Sequence, residues 1–487
     1  MRSWTRCLVA VVALSGPFGE VAAQGVRITG ATWVQSIDLR PWREDSLPAS
    51  DVPGEGTTRT TADGKLVQCP VDASFCYYNT SGIRERTTPL LQDLTFAAWG
   101  LGRGISAHAH VRARSSLGGA DLWPRMGDRF DALDAYVEID RPSGRARLGR
   151  VWAYSGLGTY NFDGGSLLLR RGVQSLEVYG GRALVQGLND SYTTKLIGAV
   201  DDIPPEDDGI LVGVRVRTRP SDLSSVSAVY QRIVYRDRSA LLSERAGLDA
   251  SMSIRNTTID ASLAYDVTGR ALNVARVRAA RLLPLHLEGT VEARRRRPFF
   301  ETWTIWGAFA PVGFDEGRAE VAWRAPSDMW QVSGHGAYRV YAEDHTGVDY
   351  LPLRSDGWRT GVDASWLPSQ RFAATVSYSA DLGFGASRTD ASVGARWTPT
   401  PRWALGASAT DFQTIYEFRV GTGRVLGVTL DGSVRVSEDV RLVADGTVFH
   451  HRLSSDAPGT DWSQRRASVR LEWALGGDPG LARGAGR

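Results

Sequence analysis

The chain has 487 residues, with 57 Lys and Arg against 54 Asp and Glu and a formal net charge of +3. That near balance argues against a nucleic-acid binder, which needs a strong local excess of positive charge. Apolar residues make up 42% and mean hydropathy is −0.22, which excludes a helical membrane protein, because no later stretch approaches the ~18 consecutive apolar residues of a spanning helix.

The first residues read as an export signal. Arg2 and Arg6 form a basic start, Leu8 to Leu14 a short apolar run, and Val21-Ala22-Ala23 places small residues ahead of a cleavage point before Gln24. Residues 1–23 are expected to be removed, and Cys7 with them, so no lipid anchor is expected. Cys69 and Cys76 remain, suit an oxidising compartment, and are expected to form a disulfide in a polar segment. No histidine lies near them, so a metal site is not expected there.

From about residue 26 the pattern has period two. Candidate strands run over 26–40, 90–100, 104–115, 131–140, 145–153, 163–171, 173–182, 209–218, 223–236, 244–254 and 257–266. They continue over 270–282, 284–296, 316–324, 330–342, 356–367, 371–381, 388–398, 403–419, 423–436, 440–453 and 463–474. This makes about 22 strands, within roughly 16–22 because short neighbours can fuse or slip. One set of connections is tight, such as Arg141 to Gly144, Pro368-Ser369 and Pro399-Thr400-Pro401. The other set is long and charged: 41–89, 116–130, 183–208, 297–315, 343–355 and 454–462. Short turns at one end and long loops at the other are the pattern of an outer-membrane barrel.

Strand faces follow from the alternation. Ile105, Ala107, Ala109, Val111 and Ala113 oppose Ser106, His108, His110, Arg112 and Arg114. Leu133, Ala135, Val137 and Ile139 oppose Asp134, Tyr136, Glu138 and Asp140. A soluble sandwich could alternate in the same way. The aromatic residues decide against it, because Trp397 and Trp403 flank the Pro-Thr-Pro turn as Trp323 and Trp330 flank Ala325 to Met329. Trp366 and Phe372 repeat the arrangement. Rings at hairpin ends make the girdle of a lipid–water boundary. The expected fold is all-β: a transmembrane antiparallel up-and-down barrel over 24–475, with no plug and a Gly-rich periplasmic tail at 476–487.

The functional candidates are the charges that this alternation turns inward. The selectivity candidates are Arg112, Arg114, Asp134, Glu138, Arg215, Arg217, Arg276, Arg278, Arg294, Arg296, Asp363 and Arg396. The Arg-rich strand 104–115 should lie beside the acidic strand 131–140. Opposed rows of charge would set a transverse field across a wet pore; paired charges would instead brace the wall. The run Arg294 to Arg297 reads as a solvated strand end, with attraction of lipopolysaccharide phosphates as the alternative. The aromatic loop 299–313, with Phe299, Phe300, Trp303 and Trp306, is expected to constrict the lumen or cover its mouth, and segment 41–89 could do the same. His108 with His110 and the acidic run Asp201 to Asp208 read as structural and solubilising rather than metal-binding.

The stretch Leu148-Gly149-Arg150-Val151-Trp152, Tyr154-Ser155-Gly156-Leu157-Gly158 and Phe162-Asp163-Gly164-Gly165 resembles a segment of bacterial porins and alginate-export-type barrels. In those families a strand ending in Gly-Arg leads into a Gly-rich loop and an Asp-Gly turn. The resemblance covers about 20 residues and implies passage of small polar solutes across an outer membrane. It departs at the C-terminus, where Trp473 and Leu475 are followed by a tail, so Ala467 to Leu475 would signal to the barrel-assembly machinery from an internal position. No GxSxG, HExxH or Walker motif is present, so neither an enzyme nor a cofactor is expected. The expected function is a porin-like outer-membrane channel. The alternative is a non-conducting surface barrel for adhesion or envelope architecture, its lumen filled by loops. Expected partners are outer-membrane lipid, lipopolysaccharide and small polar solutes.

Overall fold

The computed structural model describes residues 25–40, 42–62, 66–118, 130–185, 209–235, 241–297, 313–342, 356–383, 386–417, 423–453 and 461–477. The export signal, the acidic run 201–208, Phe299, Phe300, Trp303 and Trp306 lie outside the described residues, as does the tail beyond Gly477. No helix among the described residues is long and apolar enough to cross a membrane.

Each strand pairs antiparallel with the next one round a single sheet. The first, Gly25–Leu39, pairs on one side with Pro89–Gly102, from Gly25 opposite Trp99 to Val34 opposite Leu90. On its other side it pairs with the last, Trp462–Gly476, from Arg27 opposite Gly476 to Ile37 opposite Arg466. The sheet therefore has no free edge. The short segment Glu85–Thr87 prolongs the second strand against the first, so 22 strands span the barrel. Closure is what lets strands live in lipid, since every backbone amide and carbonyl finds a partner within the wall.

The strands match the periodic segments, because the same alternation that defines a strand also assigns its faces. Val291, Val362, Val376 and Val393 are exposed on the outside. Trp323, Trp330, Trp366, Trp397 and Trp403 share that outer face at the tight-turn end. Trp330 stacks on Trp366 at 5.8 Å, and Trp366 meets Phe372 edge-on at 5.7 Å. Side chains of this size, held in a ring at one level, form the inner girdle of a membrane barrel. The longer connections lie at the opposite end, which in outer-membrane barrels is the end facing the cell exterior.

Two expectations are corrected here. The segment 41–89 is not a plain loop: Trp42–Pro48, Thr58–Thr60, Leu66–Gln68 and Phe75–Ser81 form a separate four-stranded sheet. Cys69 and Cys76 are disulfide-bonded, but they are buried with Val52 and Val67 in a small apolar core rather than set in polar surroundings. A core this small gains from a covalent staple. The second correction concerns Asp163-Gly164-Gly165, which lies inside the strand Gly158–Arg171 and is not a turn. Gly164 sits opposite Gly149 on one side and Gly181 on the other, and a Cβ there would strike the Gly180 carbonyl. The glycines are needed for close backbone approach.

Candidate functional site

One hairpin leaves the wall in its upper part. It is formed by Gly144–Ser155 and Gly158–Arg171, joined at Gly156-Leu157. Its pairing with the preceding strand, Phe130–Arg141, stops at Arg150 opposite Ala135. Beyond that point side chains replace the missing ladder. Arg150 Nη1 donates to the Ala132 carbonyl at 2.8 Å, and Trp152 Nε1 and Asn161 Nδ2 both donate to the Leu133 carbonyl at 2.9 Å. The carbonyls of Ala132 and Leu133 thus find donors where the hairpin leaves the wall.

The upper hairpin curls over the inner face of the strands that follow it. Val151, Tyr160 and Phe162 pack against Tyr179, Ala183, Leu211, Ile233 and Leu242, all of them buried. The tip reaches further. Leu157 is 2% exposed and packs on Val229, Ala264 and Val274. These wall positions alternate with the outward Tyr230, Leu263 and Val277, so the tip lies inside the barrel. Arg245 donates to the Leu157 carbonyl at 2.5 Å and to the Tyr160 hydroxyl at 3.0 Å, and Arg215 donates to the Tyr154 carbonyl at 2.5 Å. Gly247 lies under the tip, where a Cβ would come within 3.0 Å of both Leu157 and Val229. A larger residue there would press on both side chains, so the glycine leaves room for the tip.

Against this hairpin lies a cavity of about 580 Å³. Arg145, Arg215, Arg217, Arg276 and Arg278 line it with Glu177, Asp249 and Asp260, among the serines 175, 225, 227, 251 and 262. Five arginines and three carboxylates line it, and Glu138 comes to 3.8 Å from Arg145 just beyond the lining. Arg215 is paired with Glu177, and Arg276 with Glu292 at 2.8 Å. Among the described residues no ion pair holds Arg217 or Arg278. A ring of serine hydroxyls and unpaired guanidinium groups can bind the oxygens of a polar or anionic solute without a fixed geometry.

Four of the sequence candidates, Arg215, Arg217, Arg276 and Arg278, thus converge on one cavity. The others are elsewhere. Arg112 forks onto Asp93 at 2.7 and 3.2 Å, and Arg114 comes to 3.9 Å from Asp131. His108 meets Asp134 at 2.6 Å, and Glu138 accepts from Arg147 at 2.6 Å. The strands 105–116 and 130–141 do pair, but their charges are taken up locally, with Asp93 and Arg147 supplied by the strands on either side. Of the two readings of these charges, it is the braces along the wall that the contacts describe. Arg294 pairs with Glu316 at 2.7 Å, and Arg339 pairs with the same carboxylate. Arg296, Asp363 and Arg396 take part in no ion pair among the described residues.

Loop 299–313, expected to constrict the lumen or cover its mouth, lies outside the described residues up to Pro311-Val312, and the hairpin tip at Leu157 was not among the expected constrictions. A signal for the docked part below the tip was present: Val151, Tyr160, Phe162, Leu211 and Ile233 are apolar at strand positions that the alternation turns inward.

No protein-family model matches the sequence, and neither does any curated protein. Among solved structures, the siderophore receptor PirA from Pseudomonas aeruginosa is similar at 10% identity, with a TM-score of 0.45 over 92% of this chain and 80% of that one. OccK8 (OprE) from Pseudomonas aeruginosa is similar at 7% identity and a TM-score of 0.41, covering 93% and 98%. OccAB2 from Acinetobacter baumannii has 8% identity and a TM-score of 0.40 over 93% and 98%.

Proposed function

We propose that the chain is an outer-membrane channel that passes small polar solutes through an Arg/Asp/Glu-lined lumen. The observation that carries this reading is the cavity under the inward hairpin: it lies inside a closed barrel, is polar, and among the described residues Arg217 and Arg278 are in no ion pair. In a lumen of restricted width such side chains favour solutes able to exchange hydration for hydrogen bonds, and anions over cations. The hairpin narrows the path on one side, so it sets the size limit. Residues 1–23 act as the export signal in this account, and Ala467 to Leu475 is the segment read by the assembly machinery.

The test is solute uptake by liposomes carrying the purified, folded chain. Small sugars and monocarboxylates should enter, and Arg217→Glu with Arg278→Glu should slow the carboxylates more than the sugars. If empty and protein-bearing liposomes take up both solutes at the same rate, the channel reading fails.

A further inference from the structure

The lipid-facing side of the last three strands carries basic residues at its extracellular end. Arg424 on Gly423–Arg435 stands directly opposite Arg452 on Val440–Leu453. On the next strand, Trp462–Gly476, Arg465 stands opposite Val448. All three share the outward face, because Arg424 lies an even number of positions from exposed Leu426 and Val428, Arg452 from exposed Val448, and Arg465 from exposed Val469. The three arginines are themselves exposed or half-exposed.

Among the described residues, a carboxylate meets only one of these three charges. Like charges directly opposite across a ladder repel, and one carboxylate, Asp411, serves only Arg424. Among the described residues no carboxylate lies within ion-pair distance of Arg452 or Arg465; Arg452 donates instead to His450 at 3.2 Å. The contrast with the basic run Arg294 to Arg297 is direct. There Arg294 turns inward to Glu316, while Arg295 turns outward and is fully matched by Asp315 at 2.7 and 2.8 Å.

We propose that Arg424, Arg452 and Arg465 bind the phosphate of an outer-leaflet phosphorylated lipid on the outside of the barrel, the acyl chains lying on Leu426, Val428, Val448 and Val469. The inference rests on the transmembrane reading of the barrel, not on passage through its lumen. Charge complementarity selects phosphate, because guanidinium forks match its oxygens. The apolar face that adjoins the three arginines selects a lipid over a soluble anion. Arginine on a lipid-facing surface is tolerated near the interface and not at the midplane, which puts the row at headgroup level.

The test uses the full chain purified in detergent and bisphosphorylated lipid A as probe, with retained lipid measured by native mass spectrometry. Arg452→Gln with Arg465→Gln should weaken binding about tenfold, whereas Arg295→Gln should leave it unchanged. Equal retention by the double variant and the wild type overturns the proposal, as does equal retention of lipid A stripped of its phosphates. Inorganic phosphate competing as well as lipid A would show an anion site without a lipid, and also overturns it. Folding is checked by heat-modifiable gel mobility, and if the double variant does not fold, each single variant is measured in the same way. Channel conductance should persist in these variants, so failure here is distinct from failure of the channel reading.

Discussion

Leu157→Ala should release the inward hairpin from the wall without unfolding the barrel. Leu157 is 2% exposed against Val229, Ala264 and Val274. Truncation removes three buried carbons at about 0.8 kcal/mol each, and the cavity left behind brings the loss to roughly 3 kcal/mol. Every 1.4 kcal/mol is tenfold, so the ratio of docked to undocked hairpin should fall by about a hundredfold. The barrel ladder does not pass through Leu157, and global melting should stay where it is. Adding Arg245→Ala removes the donor to the Leu157 carbonyl and the Tyr160 hydroxyl and should loosen the tip further. Single-channel recording in planar bilayers is the assay, with larger or noisier open steps expected in the variant. A variant that folds, melts normally and conducts with wild-type amplitude and noise would mean that the hairpin does not narrow the path.

Other substitutions test other layers of the account. Val393→Arg places a charge on the lipid-facing side of Ala386–Thr400 and should cost ~2–4 kcal/mol near mid-membrane, read as a lower urea midpoint for refolding into bilayers; an unchanged midpoint contradicts the face assignment. Replacing Cys69 and Cys76 together by Ala should expose residues 42–81 to protease while the barrel keeps its heat-modifiable mobility, because the disulfide holds only the small separate sheet. Glu316→Gln leaves Arg294 and Arg339 without their shared carboxylate and should destabilise the barrel by roughly 1–3 kcal/mol, seen as a lower melting temperature. Arg217→Glu with Arg278→Glu should move the reversal potential in a salt gradient toward cation preference, and no movement would remove these residues from the selectivity path.

The wall of the barrel was legible because one pattern encodes strand, face and membrane at once. In Ala386–Thr400 the alternation of Ala391, Val393 and Ala395 with Ser392, Gly394 and Arg396 gives the pleat, and Trp397 gives the depth. The hairpin tip was not legible, because Tyr154 to Gly158 is locally an ordinary Gly-rich turn. Its docking depends on contacts with Val229, Arg245 and Ala264, four or more strands further round the sheet. The sheet at 42–81 was missed for a different reason. Two of its strands have three residues each, too few to display a period. The convergence of Arg215, Arg217, Arg276 and Arg278 was half legible: alternation turned each inward, but only closure of the wall and the curl of the hairpin bring them to one cavity.

The central claim is that this barrel is open to small polar solutes. Single-channel recording of the purified, folded chain in a planar bilayer tests it most directly. Discrete conductance steps with a reversal potential on the anion side are the expected result. A heat-modifiable, fully inserted barrel that gives no steps in any salt would contradict the claim.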